Sequence, residues 1–384
     1  MNGRVKGRTL LDRYEATLSG LARKHRLRSL STRSGADFAS NDYLGLARSK
    51  RMAEAVASAL AAGTPVGAAG SRLLRGNTPE HEALEAKAAA FFGAERALFF
   101  GGGYVANFAV LTTLPQKGDL IVLDELVHAS AHEGARAGRA EVIEAAHNDT
   151  NAVDGAIRAW RARGGAGRAW IVVESLYSMD GDRAPLGELI DVADRHDAFL
   201  FVDEAHATGV YGPDGRGLAH DLEGRDNVVV LHTCGKALGG SGALVTAPAV
   251  LCDYLVNRCR PFIYATAPSP LMAVATATAL DILADEPERR QRLARLVALA
   301  GKRAEGLGLP ASGSQILPII VGENRGTMAL AQALQAREFD VRGIRPPTVP
   351  EGTARLRISL TLNVGEEDVS ALFDALAEEW ERTR

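Results

Sequence analysis

The residue that first invites chemistry in this sequence is a lysine set among small residues, just past an apolar run. Lys236 stands in Thr233-Cys234-Gly235-Lys236-Ala237, directly after the run 228–232. A lysine there can simply reach solvent along its own stem, which is the commoner outcome for lysines at large. In a desolvated setting the same amine has a lowered pKa and an available lone pair, and it condenses with an aldehyde to an imine. The segment is not a nucleotide-phosphate loop, because Ala237 stands where such a loop has Ser or Thr and the upstream glycine is missing. Asp203 closes a second apolar run, Phe199-Leu200-Phe201-Val202. A carboxylate in that place is costly unless paired. It serves either as a helix cap or ion-pair partner, or as the partner of a protonated pyridine nitrogen that keeps an aromatic ring electron-poor. The joint presence of Asp203 and Lys236 at strand ends favours the second role.

Other polar residues follow the same kind of run. Gly101-Gly102-Gly103-Tyr104-Val105-Ala106 ends one run and opens a helix, so its free N–H groups and the helix dipole suit a phosphate. A tight strand-to-helix turn accounts for these glycines equally well. His128 follows 120–124, Ser178 follows 170–174 and His206 follows Asp203. Each histidine has a plain structural alternative, and His128 with His132 has the spacing of a two-ligand metal face. No His-Glu-x-x-His occurs, so no metal is expected. Gly240-Ser241-Gly242 lacks the frame of a hydrolase nucleophile.

The elements that must position these residues are legible in the hydrophobic pattern. Runs at 96–100, 120–124, 170–174, 199–203 and 228–232 are short and almost wholly apolar, as in strands buried on both faces. Helical spacing separates several of them, at 153–161 and 186–195 for example, which predicts βαβ units and a mainly parallel sheet. Ligands in such sheets bind beyond the carboxyl ends of the strands, where the polar residues fall. An amphipathic helix packed on a larger body is predicted within 10–30, and further helices at 50–62 and 79–93. After 285 a charged helix (288–305), strands at 316–321 and 355–361, and helices at 326–337 and 365–382 predict a second α+β domain. The 384 residues thus divide into an N-terminal helix and arm (1–45), a large α/β domain (46–284) and a C-terminal α+β domain (285–384).

Composition narrows the class. Hydrophobic residues make up 46%, charged residues 24% and the formal net charge is −3, with no field drawing the chain to nucleic acid or membrane. Cys234, Cys252 and Cys259 show no metal spacing and read as reduced thiols. The basic stretch 1–8 leads into no apolar segment, and Asp12 and Glu15 follow it, so a cytoplasmic location is expected.

From about Asp37 onward the sequence resembles the α-oxoamine synthases, a family of pyridoxal-phosphate enzymes. The resemblance rests on Ser40-Asn41-Asp42-Tyr43-Leu44-Gly45-Leu46, Gly70-Ser71-Arg72, Gly76-Asn77-Thr78-Pro79-Glu80-His81, Ser178-Met179-Asp180-Gly181-Asp182, Asp203-Glu204-Ala205-His206-Ala207-Thr208-Gly209 and the stretch 233–239. It implies a fold-type I transferase fold like that of aspartate aminotransferase, with a mainly parallel seven-stranded sheet. It implies pyridoxal 5′-phosphate held as a Schiff base on Lys236, Asp203 at the pyridine nitrogen and His128 stacked on the ring. His206 and Ser178 would reach the phenolic oxygen, and Gly103, Tyr104 and Thr233 the phosphate. Asn41 and Arg357 would hold the amino-acid carboxylate, Thr348 would line the substrate site, and Arg26 would contact the acyl substrate. The family further implies a homodimer with a shared site, Thr266 reaching the neighbour's phosphate.

Within the family, Ile344-Arg345-Pro346-Pro347-Thr348-Val349-Pro350 and Gly352-Thr353-Ala354-Arg355-Leu356-Arg357 point to members that condense L-alanine with a pimeloyl thioester of coenzyme A or an acyl carrier protein. The sequence departs from the family at Leu362-Asn363-Val364, where small residues and a histidine are frequent, and at Cys234, where a larger apolar residue is. Three alternatives stand beside this reading. One is a sister synthase using glycine or serine. Another is an NAD-dependent oxidoreductase, from Gly101-x-Gly103-x-x-Ala106 and Asp124. The last is an inactive scaffold of the same fold.

Overall fold

The computed structural model describes residues 10–30, 32 and 34–383; the basic stretch 1–8 lies outside them. From the N-terminus come α1 (Asp12–Arg23), the short β1 (Ala36–Asp37), α2 (Lys50–Ala61) and α3 (Pro79–Phe92). Then follow β2 (Arg96–Phe100), α4 (Gly103–Thr113), β3 (Leu120–Asp124), α5 (Ala129–Ala137), β4 (Glu141–Ala145), α6 (Thr150–Ala162), β5 (Ala169–Glu174), α7 (Leu186–Arg195) and β6 (Phe199–Asp203). After these come β7 (Val228–Thr233), β8 (Ala243–Ala247), α8 (Ala249–Arg258), α9 (Arg260–Ile263), α10 (Pro270–Asp285) and α11 (Glu288–Gly306). The chain closes with β9 (Ile316–Gly322), α12 (Asn324–Ala336), β10 (Phe339–Asp340), β11 (Arg342–Ile344), β12 (Ala354–Ser359) and α13 (Glu366–Thr383).

Two compact units result. The larger comprises Asn41–Arg295 with Thr361–Asn363. Its seven-stranded sheet runs β2-β8-β7-β6-β5-β3-β4. The pairs from β4 through β7 are parallel, and β8 is antiparallel to both of its neighbours. Alternate side chains feed two cores, as the two-residue period of a strand requires. Ile121, Leu123, Trp170, Val172, Phe201, Val229 and Leu231 pack with Ala106, Val110 and Ala131 of α4 and α5. Leu120, Val122, Ile171, Val173, Leu200, Val202 and Val230 pack on the other side with Val153 and Ile157 of α6 and Leu189 of α7. This parity fixes where the strand-end residues point. Glu174, Asp203 and Thr233 fall on the α4 side, and Asp124 falls on the opposite side.

Local signals set the helix ends. Thr78 caps α3 in a reciprocal box with His81, Pro79 occupies the first turn, and Gly93 closes the helix at φ +80°.

The smaller unit takes the described residues up to Ser40, Leu296–Leu360 and Val364 onward. β12 lies between β11 and β9, antiparallel to both. The described residues 34–40 group with this unit. β1 pairs with β10, and the Ser359 N–H donates to the Phe38 carbonyl, which ties residues 36–38 into this unit. Residues 41–45 belong to the larger unit, where the Leu362 N–H donates to the Tyr43 carbonyl. The boundary expected after 284 falls within α11, between Arg295 and Leu296. The predicted N-terminal helix is present as α1, but it buries none of its residues: Tyr14 and Leu18 stay exposed. Its apolar stripe therefore forms the helix without packing it. Among the described residues no helix is long and apolar enough to cross a membrane.

Candidate active site

The polar ends of β5, β6 and β7 and the first turns of α4 and α5 meet in the larger unit. Asp203, the last residue of β6, is buried at 6% exposure. Its Oδ2 accepts from Asn107 Nδ2 of α4 at 2.7 Å and its Oδ1 from the Ala205 N–H at 2.9 Å. Asn107 Nδ2 also lies 3.0 Å from Ser130 Oγ, and Ser130 Oγ lies 2.7 Å from His128 Nδ1. One continuous chain of hydrogen bonds thus runs from Asp203 through α4 and α5 to the His128 ring. Such a chain fixes ring orientation without using the ring face. Tyr104 stands edge-on to that ring at 6.4 Å, and its hydroxyl bonds Glu133.

Desolvation lowers the His128 pKa, Asp203 opposes this, and Lys236 adds to the lowering. A neutral imidazole results, suited to lie flat on an aromatic ring.

Lys236 lies in the loop after β7, with Nζ 2.7 Å from His206 Nε2. His206 is buried, and its Nδ1 lies 2.6 Å from the Tyr43 hydroxyl, which donates to Asn41 Oδ1 at 3.0 Å. His206 is engaged at both ring nitrogens, by Tyr43 at Nδ1 and by Lys236 at Nε2. Asn41, His206 and Lys236 are thereby brought together, with Tyr43 as the link that sequence reasoning did not assign.

The first turn of α4 begins at Gly103, where an added Cβ would stand 3.4 Å from Thr233 Oγ1. Beside it, Gly101 and Gly102 face open space. Backbone donors, helix dipole and a hydroxyl converge there, as an anion requires. Ser178 is buried, and its N–H donates to Glu174 Oε2 at 3.1 Å. Cys234, next to this cluster, is fully buried, and desolvation pushes its thiol up to about 12 against a pull from Thr276, so it is no nucleophile.

The remaining expected residues are placed elsewhere. Thr266 is exposed after α9 and, among the described residues, has no hydrogen bond to the cluster. Arg26, Thr348 and Arg357 belong to the smaller unit. There Arg26 Nη2 donates to Glu351 at 2.6 Å, Arg28 Nη2 reaches Thr348 Oγ1 at 3.3 Å, and Arg357 Nη1 donates to Ser359 Oγ at 2.6 Å.

Three further residues escaped the sequence reading. Asn107 and Ser130 are ordinary helix residues until the fold turns them toward Asp203. His147 is held between Asp124 and Asp182, at 2.9 and 2.7 Å, with Tyr177 edge-on at 4.4 Å. Burial alone would lower its pKa, but both carboxylates outweigh that and raise it to about 10. The pair pins the loop that carries Ser178 and Asp182 to the end of β3. It also occupies Asp124, whose carboxylate further accepts from the N–H groups of Leu126 and Asn148.

Known proteins share this arrangement of chain. A family profile described as Aminotransferase class I and II matches residues 34–376. The chain is 42% identical over 345 residues to a putative 8-amino-7-oxononanoate synthase of Geobacillus kaustophilus, covering 89% of this chain and 87% of that one. It is 40% identical over 375 residues to the 8-amino-7-oxononanoate synthase of Chromobacterium violaceum, covering 94% and 96%. Among solved structures, serine palmitoyltransferase from S. paucimobilis with a bound PLP–myriocin aldimine aligns with a TM-score of 0.88 at 26% identity, over 98% of this chain and 99% of that one. The 8-amino-7-oxononanoate synthase of Francisella tularensis aligns with a TM-score of 0.77 at 26% identity, over 91% and 98%. The chain belongs to the class I and II aminotransferase family and groups with its 8-amino-7-oxononanoate synthase members.

Proposed function

We propose that this protein is a pyridoxal 5′-phosphate-dependent C-acyltransferase that condenses L-alanine with a pimeloyl thioester to 8-amino-7-oxononanoate, releasing the thiol and carbon dioxide, as a step of biotin biosynthesis. The observation that carries it is the meeting of Lys236, His206, Asp203 and the α4 N-terminus at neighbouring strand ends, in a chain 40% or more identical to such synthases. The donor set fits the cofactor. Asp203 is an acid held on both oxygens, able to face a protonated ring nitrogen. Gly103 and Thr233 frame a space for a phosphate, and Lys236 offers an amine for an aldehyde.

When bound, the cofactor supplies an electron-poor ring that takes up the negative charge left at the alanine Cα. The chain's own residues do the rest. Lys236 takes the Cα proton and later returns it, and His206 Nε2 aims its Nζ. Asp203, its carboxylate fixed by Asn107, would hold a proton on the ring nitrogen. His128 would cover one ring face and exclude water from it. Arg357 offers a planar guanidinium fork for a carboxylate, Asn41 a further polar contact, and Thr348 and Arg26 contacts to the acyl substrate. The active protein is read as a cytoplasmic homodimer in which Thr266 reaches the neighbouring subunit's cofactor phosphate; a monomer with full activity would exclude that arrangement.

The higher TM-score of a serine palmitoyltransferase than of an 8-amino-7-oxononanoate synthase keeps a serine-using sister as the second reading. Release of free thiol from pimeloyl-CoA separates the two. Fast release with L-alanine and little with serine or glycine is expected. Preferential release with serine would replace the proposal by the second reading.

A further inference from the structure

Resting on that reading, we propose that Glu174 is the proton-holding partner of Asp203: a buried neutral carboxylic acid that anchors the turn bearing Ser178 and leaves the pair's single negative charge on Asp203. Glu174 ends β5 directly beside Asp203 at the end of β6, the two being register partners on parallel strands. Strand parity sends both side chains to the α4 face, because Trp170, Val172 and Phe201 all pack there. Glu174 is 2% exposed, and among the described residues it makes no ion pair with a lysine or arginine. The groups that face it are Asp203 on β6, Lys236 beyond β7, His128 ahead of α5 and the Ser178 N–H and Tyr177 of its own loop.

Two carboxyl groups sharing one buried space do not both ionise at neutral pH. The hydrogen bonds decide which one keeps the proton. Both oxygens of Asp203 accept from N–H donors, as a carboxylate needs. In Glu174, Oε2 accepts from the Ser178 N–H and the His128 N–H also favours the charged form, but buried Oε1 has no hydrogen-bond partner. Desolvation first, then the charge of Asp203, raise the Glu174 pKa to about 8 against the pulls of Lys236 and of the Ser178 and His128 N–H groups. The functional consequence is a single counter-charge, at Asp203, for the ring nitrogen.

The folded pKa of about 8 lies above the ordinary 4.5. Glu174 therefore stabilises the fold fully below about pH 4.5, and this contribution falls as pH rises through 8. The test uses full-length protein, Glu174→Gln and Asp203→Asn. Glu174→Gln should bind pyridoxal phosphate within about threefold of wild type, and Asp203→Asn at least tenfold more weakly, in line with losing a charge-assisted bond. Without cofactor, wild type should lose melting temperature relative to Glu174→Gln as pH rises across this window. A Glu174→Gln variant that binds as weakly as Asp203→Asn, or whose melting tracks wild type at every pH, overturns the proposal.

Should Glu174→Gln fail to fold, infrared spectroscopy decides. Glu204 is a second buried acid raised to about 8, by desolvation above all, so the measurement is made on Glu204→Gln. A protonated-carboxyl band that persists there and titrates near pH 8 supports the pair, and no such band refutes it. The infrared and melting experiments do not need the cofactor. If wild type failed to bind pyridoxal phosphate at all, the functional reading would fall while the proton assignment would still be decided.

Discussion

Lys236 Nζ lies 2.7 Å from His206 Nε2, and the far side of the same imidazole lies 2.6 Å from the Tyr43 hydroxyl. The histidine is thus held at both nitrogens, with the amine at Nε2. This gives the lysine a definite direction before any ligand arrives, and positioning of this kind supplies much of an enzyme's rate advantage. Tyr43→Phe should leave the protein folded but loosen that aim. A drop of about tenfold in kcat with KM little changed is expected, measured by thiol release.

The link from Asp203 to Asn107 is the second support of the site. Asn107→Ala removes one of the two donors on the carboxylate and breaks the relay to Ser130 and His128. Weaker cofactor binding by about 1–3 kcal/mol is expected, the usual result of leaving a buried charged acceptor short of a donor. Asp203→Asn should retain some cofactor but lose most Cα–H exchange of alanine with solvent. Absorbance titration and deuterium exchange measure the two effects, and wild-type exchange in Asp203→Asn would remove Asp203 from its assigned role.

Thr233 tests the anion cradle separately. Thr233→Val keeps the volume and removes the hydroxyl beside Gly103. Affinity for pyridoxal phosphate should fall by about 1 kcal/mol, while affinity for pyridoxal, which has no phosphate, should not move. Equal losses for both ligands would show that the change acts on the fold instead.

His147 governs the alkaline side of stability. Its pKa in the folded protein is about 10, against an ordinary 6.5, because Asp124 and Asp182 outweigh its desolvation. The native state therefore binds more protons than the unfolded state between those values. Its contribution is complete below about pH 6.5 and is lost as pH rises through 10. His147→Gln should destabilise the protein by on the order of 2 kcal/mol near neutrality, somewhat less than for a fully buried pair. It should also flatten the decline of stability between neutrality and pH 10. Denaturant unfolding across that range checks both.

Much of this was legible beforehand, for a simple reason. A strand buried on both faces has to be apolar along its length, so 96–100, 120–124 and 199–203 announce β2, β3 and β6 and place Asp203 at an edge. Lys236 is found the same way. β4 was not foreseen, because Glu141-Val142-Ile143-Glu144-Ala145 is an edge strand with only Ala145 buried. β8 was hidden by lying soon after the glycines at 239–242. Glu174 did carry a signal, a charge closing an apolar run as Asp203 does. Its meaning depends on register with Asp203, which the sequence of one strand does not contain. Asn107, Ser130 and His147 act through contacts made only when α4, α5 and the loop after β4 close on the sheet. The exposed stripe of α1 shows the converse: periodicity predicts a helix and not what covers it.

Every step assigned to this site depends on covalent capture of an aldehyde by Lys236. The most direct test is to load the protein with pyridoxal phosphate, reduce it with borohydride, and locate the label by peptide mass mapping. Loss of the visible absorbance and a label on the peptide containing Lys236, both absent from Lys236→Ala, are predicted. A label on another lysine, or full turnover by Lys236→Ala, would contradict the account.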